Sequence, residues 1–194
     1  MSKKQLSAAQ GVEAACILFA LNTDAEGMVR LAHSALLPPA YLEGAGAIRF
    51  CAEWRAFTHA VITAGLMQHA PNSVLMAYLR QTGNLLRQAS TPSGEECCQT
   101  SAAPQAAEDQ ESTAPDSLEA FVDGPFAGYM PLLAQGQQAR CPELFCQRLA
   151  SETARAKGEA SPPDDQSKAR LAAAMAMLVS AVWDKLENYE ILAD

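Results

Sequence analysis

The chain has 194 residues, with 22 acidic and 14 basic side chains and a formal net charge of −8 at neutral pH. That length suits one domain, or two small ones, with a sizeable hydrophobic core. Eight of the acids and none of the bases lie between positions 88 and 139, so the rest of the chain is balanced, with 14 acids and 14 bases. Neither part offers the basic face that a phosphate backbone requires, and we expect no nucleic-acid partner.

No stretch of the sequence is typical of an export signal or a membrane span. The apolar run at 14–21 follows a polar segment and is not followed by a small-residue cleavage site. The run at 169–183 is shorter than the roughly 20 residues that a span requires. The six cysteines include no C-x-x-C pair, which favours free thiols in a reducing compartment over a disulfide framework. We therefore expect a cytoplasmic protein that makes no contact with the membrane.

Abundant alanine, sparse β-branched residues and helical periodicity predict an all-α bundle of about seven helices and no sheet. The first helix is expected over Gln5–Asn22. Its inward positions are Val12, Ala15, Cys16 and Phe19, with Ile17 and Leu18 as further candidates. The S/T-x-x-E pattern that starts at Thr23 predicts a capping box for a second helix, which stops before Pro38. A short helical turn follows around Tyr41.

The central stretch, from Ile48 to Leu86, predicts two long helices broken at Pro71. One side of the first carries a broad apolar face that includes Phe50, Trp54, Phe57, Val61 and Gly65. The opposite side carries Arg49, Glu53, Ala56, Ala60 and Thr63. The inner stripe of the second consists of Val74, Tyr78, Leu79, Leu85 and Leu86. This helical hairpin is the expected centre of the core.

Between Leu86 and Leu118 the chain has no Val, Ile, Leu, Met, Phe, Tyr or Trp. Such a segment cannot bury enough apolar surface to offset an ordering cost of about 1–2 kcal/mol per residue. We expect a disordered acidic linker or long loop over 89–117. It separates an N-terminal helical part, 1–88, from a C-terminal helical part, 118–194, that packs on the first as one domain.

The C-terminal part is expected to contain four helices. The first three are predicted at Leu118–Val122, at Phe126–Gln135 with a kink or break, and at Pro142–Lys157. The last follows a cap at Asp164. Apolar residues recur along it at spacings of three and four: Leu171, Met175, Leu178, Val182, Leu186 and Tyr189. A seam this regular suits packing inside the chain or against a second copy of the protein.

Metal binding, cofactor binding and covalent catalysis find little support in the sequence. The three histidines, His33, His59 and His69, form no H-E-x-x-H motif and no pair at i, i+4. Adjacent cysteines near position 97 and a pair five residues apart near 141 lack the usual zinc spacing. We therefore predict no metal and no cofactor.

One local combination suits anion binding. Arg55 and His59 are four apart at the edge of the aromatic face and can grip a carboxylate or phosphate together. The alternative is that Arg55 covers apolar surface with its aliphatic stem and His59 has a structural role.

Three hypotheses for the function follow. The first is a helical protein-binding module (an adaptor, assembly factor or chaperone-like protein) that holds a peptide or helix in an apolar groove lined by Trp54, Phe57, Val61 and Tyr129. The second is a homo-oligomeric regulatory or structural protein that assembles through Leu171, Met175, Leu178 and Val182. The third is an enzyme or small-ligand binder with a pocket around Arg55 and His59. These hypotheses require, respectively, an open apolar groove, an unburied seam and a closed polar pocket.

Overall fold

The computed structural model describes residues 3–90, 126–150 and 162–193, with the backbone alone for 84–90. These residues form seven α-helices, which confirms the predicted all-α fold. The helices are α1 (Ala8–Asn22), α2 (Ala25–Ser34), α3 (Gly44–His69), α4 (Asn72–Ser90), α5 (Ala127–Ala134), α6 (Cys141–Leu149) and α7 (Asp165–Glu187). Short 3-10 turns lie at Pro39–Tyr41 and Gln138–Arg140. The predicted linker at 89–117 lies outside the described residues, apart from two positions that end α4. The predicted helix at Leu118–Val122 also lies outside them.

α3 is the central helix, and each of the other six α-helices packs against it. Every residue from Ala56 to Leu66 is buried, and so is Glu53. The predicted division of this helix into an apolar face and an opposite side is therefore wrong over most of its length. The reason is that a helix enclosed on all sides has no solvent face to carry its polar residues.

The predicted break between the central helices is confirmed at Pro71. α3 ends at His69 and α4 begins at Asn72, and the carbonyl of Pro71 accepts a hydrogen bond from the Val74 amide at 3.0 Å. Val74 and Tyr78 are buried on the inner stripe of α4, as predicted. The side chains of the two later stripe residues, Leu85 and Leu86, are not described.

The caps of the first two helices differ from those predicted. α1 begins at Ala8 because Ser7 and Gln10 form a capping box, in which each side chain accepts the other's backbone N–H. The box predicted at Thr23 is wrong. Asp24 caps α2 instead, accepting from the Gly27 amide at 2.9 Å. The Thr23 hydroxyl already donates to the last turn of α1.

The helices of the C-terminal part follow the predicted order. α5 continues through Pro131 as one short helix. α6 has Pro142 in its first turn and ends at Leu149. The predicted continuation to Lys157 is wrong at Ala150, which lies in a turn, and residues 151–157 are outside the described residues. The side chain of Asp164 caps α7 by accepting from the Ser167 amide at 2.7 Å, which confirms the predicted cap.

The apolar seam of α7 is buried within the chain against α3 and α6. None of its members from position 171 to 186 is more than 7% exposed: Leu171, Met175, Leu178, Val182 and Leu186. A methyl group on Gly65 would lie only 2.6 Å from the side chain of Leu186. Glycine at this position therefore allows the backbones of α3 and α7 to approach closely.

A two-stranded parallel ribbon joins the beginning and end of the described chain. β1 (Lys4–Leu6) pairs with β2 (Tyr189–Ile191), with Lys4 opposite Tyr189. The prediction of no sheet is wrong here, and so is the predicted helix start at Gln5. Three-residue strands are too short to show a period of two in the sequence. Ile191 of β2 packs directly over Gly11 of α1, which holds the ribbon against that helix.

Both helical parts contribute to one contiguous hydrophobic cluster. The rings of Phe57 and Tyr129 join them across the centre of the molecule, with centroids 5.3 Å apart. None of the helices in the described segments has the length and apolarity needed to cross a bilayer.

Candidate functional site

The four residues of the predicted groove lie in the core. Trp54 is 5% exposed, and Phe57, Val61 and Tyr129 are fully buried. Phe145 of α6 packs edge-on against Trp54, whose indole N–H donates to the Asn22 carbonyl at 2.9 Å. The chain's own side chains thus fill the predicted groove. The aromatic side chains of this predicted groove form the contact between α3 and the C-terminal helices and leave no opening for a partner there.

The structure does not bring Arg55 and His59 together as an anion site. Arg55 lies at a half-buried edge of α3, whereas His59 is buried and bonds to the Thr82 hydroxyl at 2.8 Å. Burial lowers the pKa of His59 to about 4, so its ring is neutral at pH 7. A neutral, enclosed imidazole does not attract an anion from solvent.

The sequence reasoning missed a cluster of three side chains around the buried carboxylate of Glu53. The Tyr129 hydroxyl of α5 donates a short hydrogen bond to the Glu53 carboxylate of α3. Arg148 of α6 lies with its Nε 3.7 Å from the same carboxylate and its guanidinium 6.0 Å from the Tyr129 ring centre. Burial raises the pKa of Glu53, while the Tyr129 hydrogen bond and the charge of Arg148 lower it in part. The cluster ties three helices together.

Nucleophilic thiol chemistry is not favoured by the described cysteines. Burial raises the pKa of Cys16, Cys51 and Cys146, and it raises the pKa of Cys141 to about 11. A thiol with a raised pKa is almost fully protonated at pH 7 and is a weak nucleophile. Within the described segments, no group of three or more His, Cys, Asp or Glu side chains is arranged to hold a metal ion.

The outer side of α1 has the features of a binding surface. Ile17 is 50% exposed and Leu21 is 71% exposed, and the two lie one turn apart on the same face of the helix. We call this pair the α1 ridge. Isolated exposed apolar residues are ordinary, but Ile17 also adjoins concave apolar surface, and Leu21 extends its exposed face by one turn.

Two grooves run beside the ridge, and Ile17 lines both. The α1–α4 groove has a volume of about 600 Å³ and is lined mainly by Ala9, Val12, Cys16, Ala20 and Ala77. The α1–β2 groove, of about 290 Å³, lies between α1 and the residues Leu186, Tyr189 and Ile191. Each groove has one charged residue in its lining, Glu13 in the first and Lys185 in the second.

The sequence did contain a signal for this ridge. Six consecutive residues of α1, from Cys16 to Leu21, are apolar. A helix on the surface of a bundle can turn only part of such a run toward the core. The inward side buries Phe19, so Ile17, which we expected inside as well, faces outward.

A further cavity, of about 650 Å³, lies between α6 and the start of α7. It contains the protonated thiol of Cys146, and Ala150 and Pro162 at its rim adjoin the undescribed residues 151–161. Its charged lining residues are Glu143 and Lys168.

Comparison of the chain with models of known families, with curated proteins and with solved structures finds no match.

Proposed function

We propose that the protein is a helical protein-binding module whose partner docks on the α1 ridge. The observation that carries this proposal is the exposure of Ile17 and Leu21 on one face of α1, with Ile17 at the border of two apolar grooves. This keeps the first hypothesis from the sequence but moves the binding surface from the aromatic face of α3 to the outside of α1.

The ridge is large enough to matter for affinity. Complete burial of an isoleucine or leucine side chain contributes about 1.5–3 kcal/mol, so covering the parts of Ile17 and Leu21 that are exposed is worth about 3 kcal/mol. That corresponds to roughly a hundredfold in affinity. A few apolar anchors of this kind dominate most protein interfaces, and the residues around them chiefly exclude water.

Two further features support this proposal and a cytoplasmic site of action. The described cysteines, Cys16, Cys51, Cys141 and Cys146, are all free, which is typical of a reducing compartment. The described histidine, cysteine and acidic side chains lack the geometry of a catalytic centre, and the buried Glu53 cluster connects helices without opening into a cavity that we find. A protein built in this way acts by holding another molecule.

A site-specific cross-link tests the proposal. A benzophenone amino acid replaces Ala20, which is exposed in the α1–α4 groove, and the full-length protein is irradiated in lysate of its source organism. We expect a discrete cross-linked partner whose yield falls at least about tenfold when Ile17→Asp is added.

The matched control is Met177→Asp, which changes a side chain that is 67% exposed on α7, away from the ridge. Met177→Asp should leave the cross-link unchanged. If both aspartates reduce the cross-link equally, or neither does, the α1 ridge is not the docking surface. Thermal unfolding of each variant verifies that the fold is intact.

A further inference from the structure

We infer that the partner segment is an amphipathic helix of about three turns, seated in the α1–α4 groove, with a lysine or arginine on the edge that faces Glu13. This inference rests on the proposed function and adds the chemistry of the partner. It follows from the size of the groove, from the residues of its floor and from its charge.

The groove has the dimensions of a helix-binding site. Its lining on α1 extends from Ala9 to Ala20, a distance of about 17 Å at 1.5 Å per residue, or three turns. α1 lines the groove over these three turns, and α4 adds one turn through Ala77 and Gln81. A third helix can therefore lie along α1 and contact α4 near its middle, by the usual packing of side-chain ridges into grooves. An extended strand would find no sheet edge between these two helices.

The floor of the groove determines which side chains fill it. Four of its eight lining residues, Ala9, Cys16, Ala20 and Ala77, are small. The larger ones are Val12, Glu13, Ile17 and Gln81. A groove with a small-residue floor leaves space that the partner must fill to reach normal packing density. Large apolar residues, such as leucine, isoleucine, phenylalanine or methionine at spacings of three and four, meet that requirement.

Glu13 determines the charge of the partner. It is exposed, it is the only charged residue among those lining this groove, and it makes no ion pair with any other described residue. A docked helix removes water from this carboxylate, and desolvation without a compensating cation is costly. Lys or Arg opposite Glu13 offsets that cost and opposes the docking of acidic helices. A partner helix with an acidic edge would instead pair with Lys185 in the α1–β2 groove.

The test uses three synthetic amphipathic peptides of about 14 residues that share one leucine face. They differ only in the residues flanking that face, which are lysine, glutamine or glutamate. Binding to the full chain is measured by fluorescence anisotropy at low ionic strength. We expect the lysine peptide to bind about tenfold more tightly than the glutamate peptide and the glutamine peptide to bind with intermediate affinity.

Charge reversal separates a local contact from the overall negative charge. Glu13→Lys should invert the order of the peptides. The control is Glu26→Lys on α2, which makes the same change in net charge at an exposed site, and it should preserve the order. If the two variants weaken the lysine peptide equally, the preference reflects net charge alone and the inference is overturned.

Other outcomes distinguish this inference from the proposed function. If all three peptides bind equally and Ile17→Asp abolishes their binding, the partner chemistry is wrong but the docking surface stands. If Ile17→Asp and the milder Ile17→Ser leave peptide binding unchanged, both fail. If sedimentation shows a dimer that Ile17→Asp converts to a monomer, the occupant is a second copy of the chain and the inference is overturned.

Discussion

At the scale of single residues, His59 illustrates how burial changes the role of a side chain. Its ring lies among Phe19, Tyr78 and Phe126, with centroid distances between 5.1 and 5.7 Å. One ring nitrogen bonds to the Thr82 hydroxyl, and the whole residue is only 4% exposed. Protonation would place a charge in this apolar surrounding, and desolvation therefore lowers the pKa of His59 to about 4.

This shift predicts that the protein loses stability in mild acid. The unfolded chain takes up a proton at His59 near pH 6.5, whereas the folded protein does so only near pH 4. The neutral His59 ring therefore contributes its full stabilisation above pH 6.5. As the pH drops to 4 this contribution is lost, and the free energy of unfolding falls by about 3 kcal/mol. Urea unfolding at several pH values measures the change.

The contribution of His59 is isolated by substitution. His59→Gln should flatten the pH dependence between pH 4 and 6.5, whereas His33→Gln on the exposed side of α2 should leave it unchanged. The comparison is necessary because Glu53 acts in the opposite direction. Its raised pKa means that the folded protein holds that proton more tightly, so ionisation of Glu53 lowers stability as the pH rises above 4.5. Identical slopes for the two glutamine variants would refute the assignment to His59.

The burial of a residue was predicted correctly where one face of its helix contacts the core, and wrongly where several helices surround it. The inner stripe of α4 was predicted correctly at Val74 and Tyr78 because one side of that helix faces the core. Glu53 was placed opposite the apolar face, yet it is buried, because Tyr129 and Arg148 come from helices 76 and 95 positions away in the chain. A helical wheel contains no information about such distant partners.

At the scale of elements, the contact between α3 and α7 depends on the absence of a side chain at Gly65. A methyl group there would lie 2.6 Å from Leu186 and 3.0 Å from Trp183, whose indole N–H donates to the Val61 carbonyl at 3.0 Å. Leu186 is buried and Trp183 is held by this hydrogen bond, so neither can move without cost. Either the Leu186 side chain must repack within the core or the two helices must move apart.

Gly65→Ala is therefore expected to destabilise the protein by about 1–3 kcal/mol, even though alanine favours the helix. Gly27→Ala on α2 is the matched control, since a methyl group there meets only ordinary contacts, the nearest at 3.5 Å. That variant should be neutral or slightly more stable. Thermal unfolding of both proteins provides the measurement. A stabilised Gly65→Ala protein would show that the α3–α7 contact can accommodate a methyl group.

Local sequence signals predicted some element boundaries correctly, but not the starts of α1 and α2, where Ser7 and Asp24 form the caps. Pro71 separates α3 from α4, and Asp164 caps α7. The sequence predicted both boundaries at these residues. The β1–β2 ribbon was not predictable, because its two strands are three residues long and lie 185 positions apart. Its stability depends on packing against α1, which no local pattern records.

At the scale of the whole molecule, the apolar faces that the chain buries in its own core are not available to partners. α7 uses its seam to hold the chain together, and the aromatic face of α3 is covered by α5 and α6. Several large apolar residues stay exposed, among them Ile48, Met67 and Met177, but the α1 ridge lies beside the two grooves, and we propose that the partner docks there. Sequence periodicity predicted both buried faces but could not distinguish internal packing from assembly, since each buries the same apolar residues.

Substitution in the α7 seam tests the internal assignment. Met175 is 1% exposed, and Met175→Ala removes buried volume from the core, so we expect a loss of about 2–5 kcal/mol in the free energy of unfolding. Because the seam packs within one chain, the midpoint of thermal unfolding should not change over a roughly hundredfold range of protein concentration. The drop between wild type and variant should be the same at every concentration. A seam shared between two copies would behave differently: the wild-type midpoint would rise with concentration, and Met175→Ala would remove that dependence.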